Sequence, residues 1–372
     1  LRHRPGSAEL RILRADVARR LNQPVRAVEI LEEGLDRNPG NRRMILALVP
    51  FHRAIAPSHA VRYIERTLKD AGGNTPLRVG LLRELASIYR AEPNDPSRAI
   101  ELLLEAWALD DSNPQLAAQL VGAMLAEGRF EQAKPYLDKA LERWPRSTAL
   151  RLQRLEWLVG LHRLAEADKA FDALVADRPD RPGLLLEYAR RLNASPKPRE
   201  VTERIERLCN AVLKEQPAAA GAHFILGDHY NRIRRREEAI RHYRAGLDKR
   251  MNPGVANNLA WLLYETERED NREEALRLSK FAVDSVTDNG EFWDTRRAVL
   301  TWAGRRDDAA EAARRSVDLL PKPKFRLRLA EALARAGQKD EARTVAAALR
   351  QDEKSYGALT DDQRARLQGL LN

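Results

Sequence analysis

The sequence predicts an all-α solenoid of about ten helix-turn-helix repeats, closed by a capping helix near its C-terminal end. Two observations carry that reading. Ala27, Ala60, Ala99, Ala133, Ala167, Arg204, Ala239, Ala275, Ala309 and Ala342 return at intervals of 33 to 39 residues, and nine of the ten are alanine. A fixed small residue at a period near 34 marks helical hairpins that cross closely, where a methyl group fits and little more does. Between Pro114 and Pro145 the period is seen to hold two apolar stripes at helical spacing, punctuated by glycine and proline.

The elements follow in chain order. The chain does not start with Met, and Pro5 stands one period before Pro39; residues 1–5 therefore read as the remnant of a preceding repeat, with the natural protein extending upstream. Residues 6–355 read as the array. Its first full unit offers Ala15, Ala27, Leu31, Gly34 and Pro39. In the unit from Pro114, Leu116, Leu120, Val121, Met124 and Leu125 form one stripe, and Gly128 permits a left-handed turn. Phe130, Ala133, Leu137 and Ala140 form the second stripe, which Pro145 stops. Two helices so close in sequence lie antiparallel, and the hairpin buries its apolar face only by stacking on the next. Longer loops are expected near Pro93–Pro96, Pro196–Pro198 and Arg268–Asn271. The unit with Arg204 at the alanine position is the most divergent, and its loop Asn193–Arg199 reads as a spacer or a docking loop. Residues 356–372 read as a solvating final helix, with Thr360 as N-cap and Asp361 and Asp362 at its positive end.

These motifs resemble the tetratricopeptide repeat. Leu226, Gly227, Tyr230, Ala239, Tyr243 and Gly246 follow its pattern, as do Trp293, Ala309 and Pro321 in a later unit. The resemblance covers essentially the whole chain and implies a right-handed superhelix that binds proteins or peptides and carries no catalytic centre. Asn257 to Leu263, Asp294-Thr295-Arg296, and Leu329 to Ala334 with Gly337 are similar to the ends of bacterial envelope and exopolysaccharide repeat proteins, including PEP-CTERM-associated and planctomycete types. In the family the first helix of each hairpin lines the concave face. That register selects Glu187, Arg190, Asp228, Asn231, Arg232, Asn257, Asn258, Trp261, Asp294, Arg328 and Glu331 as the peptide-binding set. Asparagine amides bond both N–H and C=O of a peptide, and Trp261 supplies an apolar anchor; the same asparagines also suit bonds between neighbouring helices. The family's Lys, Asn and Arg clamp for chaperone C-termini is not reproduced in register.

Composition narrows the partners. Lys and Arg total 65 against 55 acidic residues, a formal charge of +10. This admits an anionic polymer, RNA or acidic polysaccharide, as the alternative partner. Arginine dominates the basic residues, a bias that coding composition alone produces, and acidic residues are interspersed throughout. Cys209 is the one cysteine, so an intramolecular disulfide and a cysteine-based zinc site are excluded. No run approaches the length of a membrane span. The compartment stays open.

No phosphate-cradling loop, nucleophile elbow or HExxH helix occurs, so no catalytic residue, cofactor or metal ligand is assigned. An enzyme would need a domain upstream of Leu1. His223, His229 and His242 fall in one unit, where Asp228 would have to join them around a metal; packing is the better account, since His223 holds a core aromatic position. Arg232, Arg234, Arg235 and Arg236 read as a solvated turn offset by Glu237 and Glu238, with a phosphate or acidic-protein contact as the other reading.

Overall fold

The computed structural model describes residues 7–91, 95–176 and 180–371. The reading of residues 1–5 lies outside the described residues, as does Pro93 in its expected loop. Among the described residues all regular structure is helical. None of these helices is long and apolar enough to cross a membrane.

The chain divides into two compact units, Leu1–Arg178 and Pro179–Asn372. The first holds five hairpins: α1 (Ala8–Arg20) with α2 (Pro24–Leu35), α3 (Arg42–Ile55) with α4 (Pro57–Asp70), α5 (Thr75–Ala91) with α6 (Pro96–Leu109), α7 (Pro114–Ala126) with α8 (Phe130–Arg143), and α9 (Thr148–Gly160) with α10 (Leu164–Val175). Five more form the second unit. They pair α11 (Arg181–Asn193) with α12 (Thr202–Glu215), α13 (Ala220–Arg232) with α14 (Arg236–Lys249), α15 (Pro253–Thr266) with α16 (Arg272–Ser285), α17 (Gly290–Trp302) with α18 (Arg306–Leu319), and α19 (Pro323–Arg335) with α20 (Lys339–Gln351). A short α21 (Glu353–Gly357) leads into α22 (Asp361–Leu371).

Local chemistry starts and stops these helices. Asn113, Asn252 and Asn289 cap α7, α15 and α17, each side-chain oxygen accepting from a backbone amide of the first turn. Pro114, Pro253 and Pro323 stand where a missing N–H costs nothing. In several hairpins the turn takes one left-handed residue. Gly128 and Gly337 supply it at φ +67° and +81°, while Arg234 takes the same conformation at φ +67°.

All nine alanines are the fourth residue of a second helix, and each is 2% exposed or less. Arg204 breaks the series for a geometric reason. A 3-10 turn, Pro198–Val201, precedes α12, so the helix begins at Thr202 and its fourth residue is Ile205. Ile205 is fully buried and Arg204 only partly, which moves the expected register by one. The expected loop at Arg268–Asn271 is likewise shaped by a 3-10 turn, Glu269–Asn271.

Two features of the second unit position the candidate site. Gly227 lies against Tyr243: a Cβ there would stand 2.4 Å from the ring, so glycine is what lets α13 and α14 meet. At the far end α22 packs on α19 and α20, joining Leu359 and Leu367 to Leu327, Ala330 and Leu349 in one core. Its start is a reciprocal cap in which the Gln363 amide donates to Thr360 Oγ1 and the Thr360 amide to Gln363 Oε1.

Candidate protein-binding cleft

First helices α15, α17 and α19 touch in succession. Along them, with the end of α13, runs an open cleft of about 290 Å³. It gathers Asn231 from α13, Asn257, Asn258 and Trp261 from α15, Asp294 from α17, and Arg328 from α19. Glu291, Thr295, Lys324 and Phe325 complete the lining.

A polar network adjoins the α13 side. The Tyr243 hydroxyl donates to Asp228 Oδ1 at 2.6 Å, and Asn258 bonds both side chains while Asn231 reaches Tyr243. Asp228 is open to solvent yet ringed by protein. Desolvation by the protein around it pushes its carboxyl above the usual range, against the hydrogen bonds from Tyr243 and Asn258. Burial, followed by the nearby Asp228 carboxylate, raises the Tyr243 phenol. Next to this network Asn257 Oδ1 is buried without a hydrogen-bond partner among the described residues.

The α17 and α19 side is ionic. Asp294 is 6% exposed and receives Arg297 Nε on Oδ1 at 2.8 Å, while Arg328 pairs with Oδ2. Asp294 is thus committed within the protein. It holds Arg328 rather than offering a free acceptor. Arg328 also lies 5.8 Å from the Phe325 ring centroid.

Five of the expected residues sit outside this lining. Asp228 belongs to the adjoining network with Tyr243 and Asn258. Glu187 pairs with Arg190 at 2.7 Å and with Arg191, all on α11. Arg232 donates instead to the backbone carbonyl of Asn193, because it lies at the end of α13 beside the preceding hairpin. Glu331 is gripped by Arg366 of α22 through two hydrogen bonds of 2.7 Å, so the cap closes the strip at that point. Conversely, Glu291 and Lys324 join the lining without having been selected. Each is the second residue of its helix, and that shared position was the available signal.

The other sequence candidates are held within the fold. His229 is fully buried, its ring nitrogens 2.9 Å from Thr202 Oγ1 and 3.1 Å from Asn193 Oδ1. His223 and His242 share a contact of 3.1 Å between their Nδ1 atoms. No group of three or more metal-ligating side chains converges among the described residues. In the basic turn, Arg235 pairs with Glu238 at 2.6 Å and Arg236 with Glu265 at 3.1 Å. In the first unit a larger open pocket, about 490 Å³, is mainly apolar and lined by Pro114, Ala118, Trp144 and Pro145.

Two sequence patterns, both described as tetratricopeptide repeat, match the chain. One covers residues 90–143 and 124–190, the other 205–256 and 303–357, together more than half of its length. The chain belongs to the tetratricopeptide-repeat family. Among solved structures, yeast Tom70 shares 15% identity at a TM-score of 0.62, over 91% of this chain and 84% of that one. A tetratricopeptide repeat protein from Parabacteroides merdae shares 18% at a TM-score of 0.50, over 68% and 97% respectively. At these identities the likeness is one of fold. No curated relative matches the sequence. In the tetratricopeptide register Asp228, Trp261 and Glu331 are equivalent, each following a Leu-Gly or Leu-Ala pair. One position thus serves as network acid, aromatic wall and cap anchor in different repeats.

Proposed function

We propose that the chain is a non-catalytic protein-binding scaffold whose C-terminal unit holds an extended segment of a partner protein. The observation that carries this reading is the convergence of side chains from α13, α15, α17 and α19 on one cleft that mixes amides, an indole and cations. Amides suit the alternating donors and acceptors of an extended backbone. The resemblance of Asn257–Leu263, Asp294–Arg296 and Leu329–Gly337 to envelope and exopolysaccharide repeat proteins supports a bacterial envelope or polysaccharide-related assembly as the setting. Glu291, Asp294 and Asp228 in or adjoining the cleft weigh against a polyphosphate occupant.

The test is partner capture by the Asn258→Ala, Arg328→Ala double variant, with helical content and melting checked in parallel. Capture weakened at least about tenfold, the size of one lost charged contact with its desolvation, supports the cleft. Unchanged capture by the folded double variant moves binding to another face. Capture that collapses steeply with salt and extends to RNA favours the anionic-polymer alternative.

A further inference from the structure

Resting on the protein-binding reading, we infer that the cleft selects an extended segment bearing an apolar side chain and, about five or six residues along, an acidic one. The apolar subsite is Trp261 on α15, partly buried and set against Tyr264 with ring centroids 5.4 Å apart. The acidic subsite lies two first helices away. There Lys324 has no carboxylate partner among the described residues, and its ammonium lies 4.6 Å from the Phe325 ring centroid. Arg328 beside it is oriented by Asp294, which Arg297 also holds.

On the α17 and α19 side, Arg297, Lys324 and Arg328 stand against Asp294 and Glu291 and leave one positive charge in excess. A single surplus charge flanked by two carboxylates matches one acidic side chain and is too little to neutralise a phosphate chain. On α15, one turn before Trp261, Asn257 Oδ1 is buried and receives no donor among the described residues. A buried acceptor without a donor is unfavourable, and turning that amide toward a peptide N–H relieves it. Packed helices stand about 9 Å apart, and an extended chain advances about 3.3 Å per residue. Two helix spacings therefore separate the apolar and acidic residues by five or six positions.

The probe is a set of end-blocked nine-residue peptides in a Ser/Gly/Asn background. Each carries Phe or Leu at its second position and Glu, Gln or Lys at one of positions five to nine, and binding is read by fluorescence anisotropy. Blocked ends remove any terminal carboxylate. The expected result is a preference for Glu over Gln of about fivefold at positions seven and eight, with Lys bound worst. Lys324→Glu, on an exposed side chain, then inverts the ranking in favour of Lys. Equal binding of Glu, Gln and Lys peptides, with loss on Asn258→Ala, overturns the acidic preference while leaving the groove reading intact. No binding of any peptide, or binding indifferent to Asn258→Ala, overturns both. Single-stranded RNA binding that is lost in Lys324→Glu assigns the cleft to polyanions and overturns the acidic-segment inference.

Discussion

α1 and α22 are the first and last helices described, and their outer faces differ in kind. On α1 and its C-terminal cap, Leu10, Leu13, Val17 and Leu21 recur at three- and four-residue spacing with 38%, 61%, 50% and 66% of their surface exposed. They form one outward apolar stripe. On α22, Leu367 is buried against α19 and α20, while Asp361 and Asp362 face water and Arg366 reaches back to Glu331. A repeat hairpin has two stacking faces by construction. α22 covers one of them with a helix that is apolar on one side only. α1 keeps on its outer side the residue types of an internal stacking face.

The largest expected effect tests that contrast directly. Leu367→Ala, under the cap, should destabilise the second unit by about 2–4 kcal/mol, whereas Leu13→Ala on α1 should stay within about 0.5 kcal/mol. Denaturant melts measure both changes, and hydrogen exchange in α19 and α20 locates the first. Equal costs would mean that the α1 stripe is covered in solution. The next effect probes the interior between the ends. Ala239→Leu adds volume at a fully buried crossing of α14 and should cost about 1–3 kcal/mol. A variant with unchanged melting would show that the crossing has slack.

The repeated part of this fold is legible in sequence because sterics act identically in every period. A crossing that admits only a methyl writes alanine nine times, and a left-handed turn writes glycine at Gly128 and Gly337. Arg204 misleads because the 3-10 turn at Pro198–Val201 changes where the helix starts; the stripe Ile205, Leu208, Cys209 and Val212 carries the shifted register, which the period of the alanines alone does not. The cleft is legible to the extent that helix register alone decides which side chains face it, as for Asn257, Asn258 and Trp261. Arg232 and Glu331 depart because their partners, the Asn193 carbonyl and Arg366, come from elsewhere in the chain. Lys324 goes unselected since it stands at the very start of α19, before any stripe is established.

Acid should loosen the middle of the second unit before either terminal helix, since neither α1 nor α22 contains a histidine. Burial holds His229 below the ordinary imidazole value, and His223 and His242 are lowered chiefly for the same reason. At these three sites the folded protein therefore binds fewer protons than the unfolded chain in mildly acid solution. This contribution is fully present above the unfolded pKa near 6.5 and is lost as pH falls through the lower folded value. Lowering the pH from 7.5 to 5.5 should reduce the unfolding midpoint, and His229→Gln should flatten that dependence. Exchange protection in α12, α13 and α14 is the local readout. A pH-independent midpoint, or one equally steep in the variant, would remove His229 from this role.

The smallest effect concerns the hairpin turns, where the last hairpin again differs from the first. Gly337 carries the left-handed residue between α19 and α20 at φ +81°, whereas Asn22 does so between α1 and α2 at φ +59°. Arg234 holds the equivalent place between α13 and α14 at φ +67°. Glycine takes this conformation freely, asparagine tolerates it, and a long side chain is strained by about 1 kcal/mol or more. Glycine also loses more chain entropy on folding, so the net gain from inserting it is smaller than the strain removed. Arg234→Gly should thus raise stability by about 0.5–1 kcal/mol, and Asn22→Gly by less. Urea midpoints of the two variants, measured side by side, decide the ranking. If Arg234→Gly destabilises instead, the Arg234 side chain makes a contact worth more than its backbone strain, and the basic turn beside the cleft becomes a structural element rather than a solvated one.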